Sequence, residues 1–155
     1  MDGTLRFEGE YLNGERNGKG KEYYNNGELL FEGEYLKDKR FNGNRYFSNN
    51  NIIYKIKDGK GYIKEYFQEV LLFECEYLNG EANGKGKEYS LNGDLLFEGE
   101  YLNEKKNGNG KEYDLDGELE FEGEYLNGQR NGNGKEYDKD GNLIFEGKYI
   151  NGEKI

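Results

Sequence analysis

Pairs of glutamates are the most frequent residues in this sequence that could perform chemistry. A recurring Phe-Glu-Gly-Glu-Tyr stretch, first seen at Phe7–Tyr11, carries two of them at positions i and i+2. Two carboxylates with different pKa values could act as a general acid and a general base. The chain contains no histidine, however, so it has neither an imidazole base nor a histidine-based triad. Because the glutamate pair returns in five of the six copies, a solvated strand face explains it better, and we predict no catalytic residue, no cofactor and no enzymatic activity.

Two other features could bind a metal or react. Cys75 is the only cysteine, so no internal disulfide can form, and it stands where the other copies have glycine. We interpret it as a small buried side chain and not as a nucleophile. The stretches DLDGE at 114–118 and DKDGN at 138–142 look like pieces of a calcium loop but lack the full ligand set. We interpret them as tight turns and predict no metal site.

Residues 37–66 form a basic segment in an otherwise acidic chain. They hold eight Lys and Arg against three Asp and Glu, a net charge of +5, whereas the whole chain is at −10 and the remainder at −15. Cations alternate with aromatic rings, a composition suited to acidic protein segments, anionic headgroups or single-stranded nucleic acid. The candidate partner-binding residues are Arg40, Phe41, Arg45, Tyr46, Phe47, Tyr54, Lys55, Lys57, Tyr62 and Lys64.

The acidic sequences on either side of this basic segment make some partners more favourable than others. They oppose binding to nucleic acid or to an anionic bilayer, so we predict a protein partner first and anionic lipid as the alternative. A second copy of the chain, presenting its acidic part, would make a homodimer. The simpler alternative is two decayed repeats whose rings belong to the core. No apolar run is long enough to cross a membrane, and we predict a cytoplasmic protein, at most peripheral to a membrane or the cytoskeleton.

An internal repeat organises all of these residues. The stretch FEGEYLNG at Phe7–Gly14 returns with small changes at residues 31, 73, 97, 121 and 145, and most of these copies start 24 residues apart. Such a period indicates a stacked array in which no unit buries its apolar side alone. The predicted array spans 1–155 in units at 7–30, 31–53, 54–72, 73–96, 97–120, 121–144 and 145–155, of which the second is irregular, the third short and the last partial.

Each regular unit reads as two strands and two tight turns. Along residues 29–36 the odd positions are apolar or glycine, and the even positions carry Glu32 and Glu34 between two leucines, as in a half-buried strand. Asn-Gly steps then supply the positive φ angles of hairpin turns. The sequence therefore predicts an all-β fold, an elongated antiparallel meander in a single-sheet array of hairpins, curled or bent near residues 40–70.

The second strand of each unit leaves its orientation open. Either Gly18 and Gly20 or Lys21 and Tyr23 face the aromatic side, and a β-bulge would allow both arrangements. On the opposite side, the glutamates of one strand should pair with the lysines of the next. The glutamates are Glu8, Glu32, Glu74, Glu98, Glu122 and Glu146, and the lysines are Lys21, Lys87, Lys111 and Lys135. Such exposed pairs set register and solubility more than stability.

The pattern of one unit resembles the MORN repeat. The resemblance rests on an aromatic, a glycine, a second aromatic, Asn-Gly and a later Gly-x-Gly, at Phe7, Gly9, Tyr11, Gly14, Gly18 and Gly20. Tyr11 stands where many members have tryptophan, and Asn17 where histidine is common. The resemblance implies a hairpin array that serves as a scaffold or adaptor, often self-associating and sometimes bound to membranes. We therefore predict a non-enzymatic protein-interaction scaffold, with a peripheral adaptor for anionic lipid as the alternative.

Overall fold

The computed structural model describes residues 5–46 and 52–155, and over these ranges the chain forms strands and turns without any helix. The strands lie in chain order in one antiparallel sheet whose first and last strands do not join. The predicted all-β meander of hairpins is therefore confirmed. Within the described ranges no helix is long and apolar enough to span a membrane. The curvature near residues 40–70 and the division into seven repeat units stay predictions.

The first of two compact units comprises Met1–Ile63 together with Tyr77–Gly80. Its strands are β1 (Phe7–Leu12), β2 (Glu15–Tyr23), β3 (Leu29–Leu36), β4 (Lys39–Tyr46), β5 (Ile52–Lys57) and the start of β6 (Lys60–Phe67). Phe31, Tyr35 and Ile56 form its buried core, and Phe7, Tyr54 and Tyr77 pack against them.

The second compact unit comprises Lys64–Glu76 and Glu81–Ile155. It holds the end of β6, most of β7 (Val70–Leu78), β8 (Glu81–Tyr89), β9 (Leu95–Leu102), β10 (Lys105–Tyr113), β11 (Leu119–Leu126), β12 (Gln129–Tyr137), β13 (Leu143–Ile150) and β14 (Glu153–Lys154). Its most buried rings are Phe97, Phe121, Tyr101, Tyr125 and Tyr149, and Cys75 and Ala82 are buried as well.

One face of the sheet, here called the aromatic face, carries these rings. Within each regular hairpin the glycines of neighbouring strands lie side by side, as Gly99 does with Gly110. The Phe97 ring folds over both, since a Cβ built on either glycine would lie 2.6 Å from its Cζ atom. The absence of side chains at the paired glycines therefore makes room for the ring.

A β-bulge settles the orientation of the second strand. In the first hairpin Gly9 pairs with Gly20 but Tyr11 pairs with Arg16, so the three residues 17–19 lie opposite Glu10. Gly18 takes a φ of 95°, and the Glu10 carboxylate accepts a hydrogen bond from the Lys19 amide at 3.1 Å. Beyond the bulge Gly20 faces the aromatic side, whereas Lys21 pairs with Glu8 and Glu32 on the other.

The other face, here called the charged face, carries the predicted cross-strand pairs. The distance from the lysine ammonium nitrogen to the nearest carboxylate oxygen is 3.3 Å for Lys21 and Glu32 and 3.5 Å for Lys87 and Glu98. It is 3.7 Å for Lys111 and Glu122. The same glutamate column also accepts hydrogen bonds from tyrosine hydroxyls, which the sequence pattern did not indicate: Tyr113 donates to Glu98 at 2.9 Å and Tyr137 to Glu122 at 2.8 Å. Each lysine of the regular repeat units that faces this glutamate column has a carboxylate partner.

Candidate functional site

A ladder of cations and carboxylates covers the rings of the aromatic face. Arg130 lies 4.1 Å from the centre of the Phe121 ring and forms ion pairs with Glu112 and with Glu136, the latter at 3.1 Å. Glu136 also accepts the Tyr149 hydroxyl at 2.7 Å. The Phe121 ring is thereby fully buried. Because a cation lies over the ring and is itself neutralised, the aromatic face is closed over Phe121.

The same arrangement recurs along the chain. A cation lies 3.9 to 5.0 Å from the phenylalanine ring of its own repeat in four further copies, namely Arg16 over Phe7, Arg40 over Phe31, Lys106 over Phe97 and Lys154 over Phe145. In the copy that starts at Phe73 the corresponding residue is Ala82, which is buried. Cys75, in the same copy, occupies the glycine position and is buried too, and burial raises the pKa of its thiol to about 12.

The contacts within the ladder shift the pKa values of its side chains. Partial burial alone would raise the pKa of Glu22, but the guanidinium of Arg40 outweighs it and leaves that pKa below its usual value. The pKa of Glu136 is lowered in the same way, since partial burial is outweighed by its bonds to Lys154 and Tyr149. Burial and the bond to Glu136 raise the pKa of Tyr149 to about 12. All of these groups therefore keep their pairing charge states at neutral pH.

Acidification should weaken the fold through these carboxylates. Because the folded-state pKa values of Glu22 and Glu136 are depressed, their ionised forms stabilise the fold above the unfolded pKa of about 4.3, and this stabilisation is lost as pH falls through the folded-state values. Urea unfolding followed by circular dichroism should show a free energy of unfolding that drops below about pH 4. Arg130→Gln should cost about 1.5–3 kcal/mol at neutral pH and make the drop shallower. An unchanged pH slope in that variant would contradict the role of the ladder.

One of the predicted partner-binding residues, Arg40, belongs to this ladder, and Arg45 and Tyr54 lie on the same aromatic face. Arg40 donates to Glu22 at 2.7 Å and to the Tyr54 hydroxyl at 3.4 Å. Arg45 donates to the Tyr24 hydroxyl at 3.0 Å and to the Leu30 carbonyl oxygen at 3.1 Å. Tyr54 packs against the core of the first unit. Their side chains therefore stabilise the fold, which agrees with the simpler alternative for these positions.

The remaining predicted residues are dispersed. The Tyr46 carbonyl oxygen accepts the Tyr24 hydroxyl at 3.2 Å, and the Phe41 carbonyl oxygen accepts the Gly59 amide at 2.8 Å. Lys64, in the second unit, lies 3.4 Å from Glu74. Phe47 lies outside the described residues. Within the described part of the first unit, the predicted residues therefore take part in separate local contacts.

Lys55, Lys57 and Tyr62 lie on exposed positions of β5 and β6, and 43% of Tyr62 is exposed. Lys57 pairs directly with Lys60, a residue that the predicted site omitted. The alternation of burial around Ile56, which is 3% exposed, places Lys55 and Lys57 on the charged face. We call Lys55, Lys57 and Lys60 the lysine cluster. The Asp58-Gly59 turn between Lys57 and Lys60 was the sequence signal that could have identified Lys60 as their neighbour.

The pairing register of β3, β4 and β5 shows that two lysines of the lysine cluster occupy positions that carry glutamates in β3. β4 pairs Gly33 with Gly43 on one side and Gly43 with Ile56 on the other. Ile56 thus stands where Gly33 stands two strands earlier, and Lys55 and Lys57 stand where Glu32 and Glu34 do. Asn44 separates Lys55 from Glu32, and no described carboxylate forms an ion pair with any lysine of the cluster. The charged face is therefore reversed in sign at this point.

The closing turns explain the acidic stretches considered as calcium loops. Asp114 Oδ1 accepts the amides of Asp116 and Glu118, each at 2.9 Å. Asp138 Oδ1 accepts those of Asp140 and Asn142 in the same way. The carboxylate that begins each stretch is thus used within its own turn. Over the described ranges no three Asp, Glu or Cys side chains come together as a metal-ligand group.

Comparison with protein families agrees with the repeat pattern. A model described as the MORN repeat matches residues 7–28 and 121–143, and one described as a MORN repeat variant matches 82–103 and 106–127. Together the matches cover more than half of the chain. No curated protein matches it.

Proposed function

We propose that this chain, which belongs to the MORN repeat family, is a non-enzymatic protein-interaction scaffold that binds an acidic protein segment at the lysine cluster. MORN repeats are known in repeat-based interaction proteins and in membrane-binding proteins. The family thus supports a binding role in general, and the choice of surface and partner rests on the charges of this chain.

The reversal of sign on the charged face carries the proposal. The polar positions of the repeat are glutamates in β3, at Glu32 and Glu34, and lysines in β5, at Lys55 and Lys57. The sheet does not require lysine at these two positions. In other repeats the same positions carry glutamates, which form ion pairs with lysines of the adjacent strand. Exposed cations without a carboxylate of their own favour an anionic partner.

The rest of the structure supports a partner that contacts this face. In five of the six copies a cation lies over the phenylalanine ring, so among the described residues these five rings are not open to a partner. Cys75 is buried and its raised thiol pKa keeps it protonated at neutral pH, which supports a role in packing. The glutamates that resemble an acid and base pair are bound to lysines and tyrosines. These contacts support a non-enzymatic chain.

The charge balance of the two compact units supports a protein partner over a membrane. The first unit contains 11 Lys and Arg against 10 Asp and Glu, and the second contains 11 against 22. The lysine cluster thus lies in the only nearly neutral unit of an acidic chain. An extended acidic segment can contact the cluster alone, whereas an anionic bilayer repels the carboxylates around it. A cytoplasmic location, where such segments are available, completes the proposal.

Reversing two of these lysines should abolish binding of an acidic segment. A fluorescein-labelled peptide of alternating glutamate and serine serves as the probe, and its anisotropy reports binding. Lys55→Glu together with Lys57→Glu should weaken its affinity at least about tenfold, since two attractions become repulsions. The matched control, Lys105→Glu with Lys139→Glu, makes the same change in net charge at exposed lysines of the second unit and should leave the affinity within about twofold.

The outcomes separate the scaffold from the lipid adaptor. Equal losses in both double variants would mean attraction by net charge and would contradict a site at the lysine cluster. Sedimentation with vesicles of phosphatidylserine and phosphatidylcholine tests the alternative. If the native chain binds the vesicles but not the peptide, and Lys55→Glu with Lys57→Glu abolishes vesicle binding, the peripheral membrane adaptor is correct instead.

A further inference from the structure

The lysine cluster contains an unfavourable pair. Lys57 and Lys60 lie directly opposite each other across the hairpin of β5 and β6. Like charges at such positions destabilise a sheet, and Lys55 adds a third cation about 7 Å along the same strand face. Asp58, in the turn between them, forms no ion pair among the described residues. The free protein therefore tolerates a repulsion that a bound anion would relieve.

The geometry of the cluster favours one compact, doubly charged group. Opposite residues of a hairpin have Cβ atoms about 5 Å apart, and a lysine side chain is long enough for all three ammonium groups to meet above the strands. A single carboxylate carries one charge and would leave two cations uncompensated. A phosphoryl group carries about −1.5 to −2 at neutral pH and offers three acceptor oxygens, one for each lysine.

We propose that the lysine cluster recognises a phosphorylated side chain in the acidic partner segment, an inference that rests on the proposed function. Phosphorylation of the partner then controls docking, because it supplies the charge that relieves the repulsion between Lys57 and Lys60. A phosphorylated segment can place one group above the cluster without approaching the rest of the charged face.

A membrane fits this surface less well. Glu32 and Glu34 occupy the same two positions of the charged face two strands away, about 10 Å from Lys55 and Lys57. A flat anionic surface would meet the glutamates and the lysines together. A protruding side chain of a peptide meets the lysines alone, so the arrangement favours a phosphorylated protein segment over lipid headgroups.

Two peptides of identical sequence test the inference. Both alternate glutamate and serine, and one carries a single phosphoserine at its centre. Phosphorylation should tighten binding to the native chain about tenfold, and it should change binding to Lys57→Gln with Lys60→Gln by less than about twofold. Lys105→Gln with Lys139→Gln, the matched control, should retain the gain.

The outcomes distinguish failure of the proposed phosphoryl site from failure of the proposed scaffold function. Binding of the unphosphorylated peptide with no gain on phosphorylation overturns the phosphoryl site and leaves the scaffold intact. A gain that persists in Lys57→Gln with Lys60→Gln overturns the assignment to the cluster. If neither peptide binds, both the inference and the proposed function fail, and binding confined to phosphatidylserine vesicles would assign the cluster to membranes.

A stability measurement supplies an independent readout. Lys60→Glu places a carboxylate opposite Lys57 and should raise the Tm by about 1–3 °C while removing the gain on phosphorylation. A Tm that stays the same or falls would show that the cluster is not electrostatically unsatisfied, and it would overturn the physical basis of the inference.

Discussion

Replacing Phe121 with alanine should lower the free energy of unfolding by about 3–5 kcal/mol. The Phe121 side chain is fully buried. Its ring packs edge-on against Tyr125 and Tyr149, with centroids 5.7 and 5.3 Å away, and lies beneath Arg130. Alanine would leave a cavity over the Gly123 and Gly134 pair, remove both ring contacts and expose the paired charges above to a void.

The measurement for Phe121→Ala is urea unfolding followed by circular dichroism at neutral pH. Leu126→Ala is the matched control, because Leu126 ends the same strand but is 49% exposed. That variant should change the free energy of unfolding by no more than about 0.5 kcal/mol. Equal effects of the two substitutions would mean that the rings of the aromatic face do not form the core of the repeat array.

Period-two alternation predicted this core correctly because it survives along each Phe-Glu-Gly-Glu-Tyr strand without interruption. Phe31 and Tyr35 share a face with Gly33, and the two rings are 0% and 3% exposed. This inference depends on local geometry alone, in which residues i, i+2 and i+4 of a strand point the same way.

The bulge made the second strand harder to predict. Three residues of β2 lie opposite Glu10 alone, which is two more than a regular ladder allows, so alternation counted from Arg16 places Gly20 on the correct face but does not reveal the bulge. The signal lies in a side chain of the other strand, since the Glu10 carboxylate accepts the Lys19 amide. In β5 the position of Glu10 is taken by Lys57. The hairpin of β5 and β6 pairs Ile56 with Gly61 and Lys57 with Lys60, and no bulge lies between these two pairs.

Within the first unit, neighbours in sequence among the predicted binding residues point to opposite faces of the sheet. Composition grouped Arg40, Arg45 and Tyr54 with Lys55 and Lys57. The first three contribute to the fold on the aromatic face, and the two lysines lie on the charged face. The cation ladder was missed although its residues recur, because an arginine or lysine beside a turn is usually solvated. Only the structure shows Arg130 lying over Phe121.

Gly33→Ala should be one of the most damaging small substitutions in the chain, with an expected loss of about 3 kcal/mol or more. A Cβ at this position would lie 2.6 Å from the Cα atom of Gly43 and even closer to the Asn42 carbonyl oxygen. Both obstacles are backbone atoms of the adjacent strand, so no side-chain rotation can relieve the contact. The strands β3 and β4 must separate, or the pairing of Gly33 with Gly43 must break.

The chain supplies its own control for Gly33→Ala. Cys75 holds the glycine position of another Phe-Glu-x-Glu-Tyr copy, and its buried sulfur fills the space above Gly86, 2.8 Å from where a Cβ of that glycine would lie. Cys75→Ala therefore creates the same Phe-Glu-Ala-Glu-Tyr sequence in a hairpin already adapted to a side chain, and it should cost no more than about 1 kcal/mol. Thermal unfolding of both variants decides the matter. Similar losses would mean that the repeat tolerates alanine at this position generally, and that the glycines are not required for close packing of the strands.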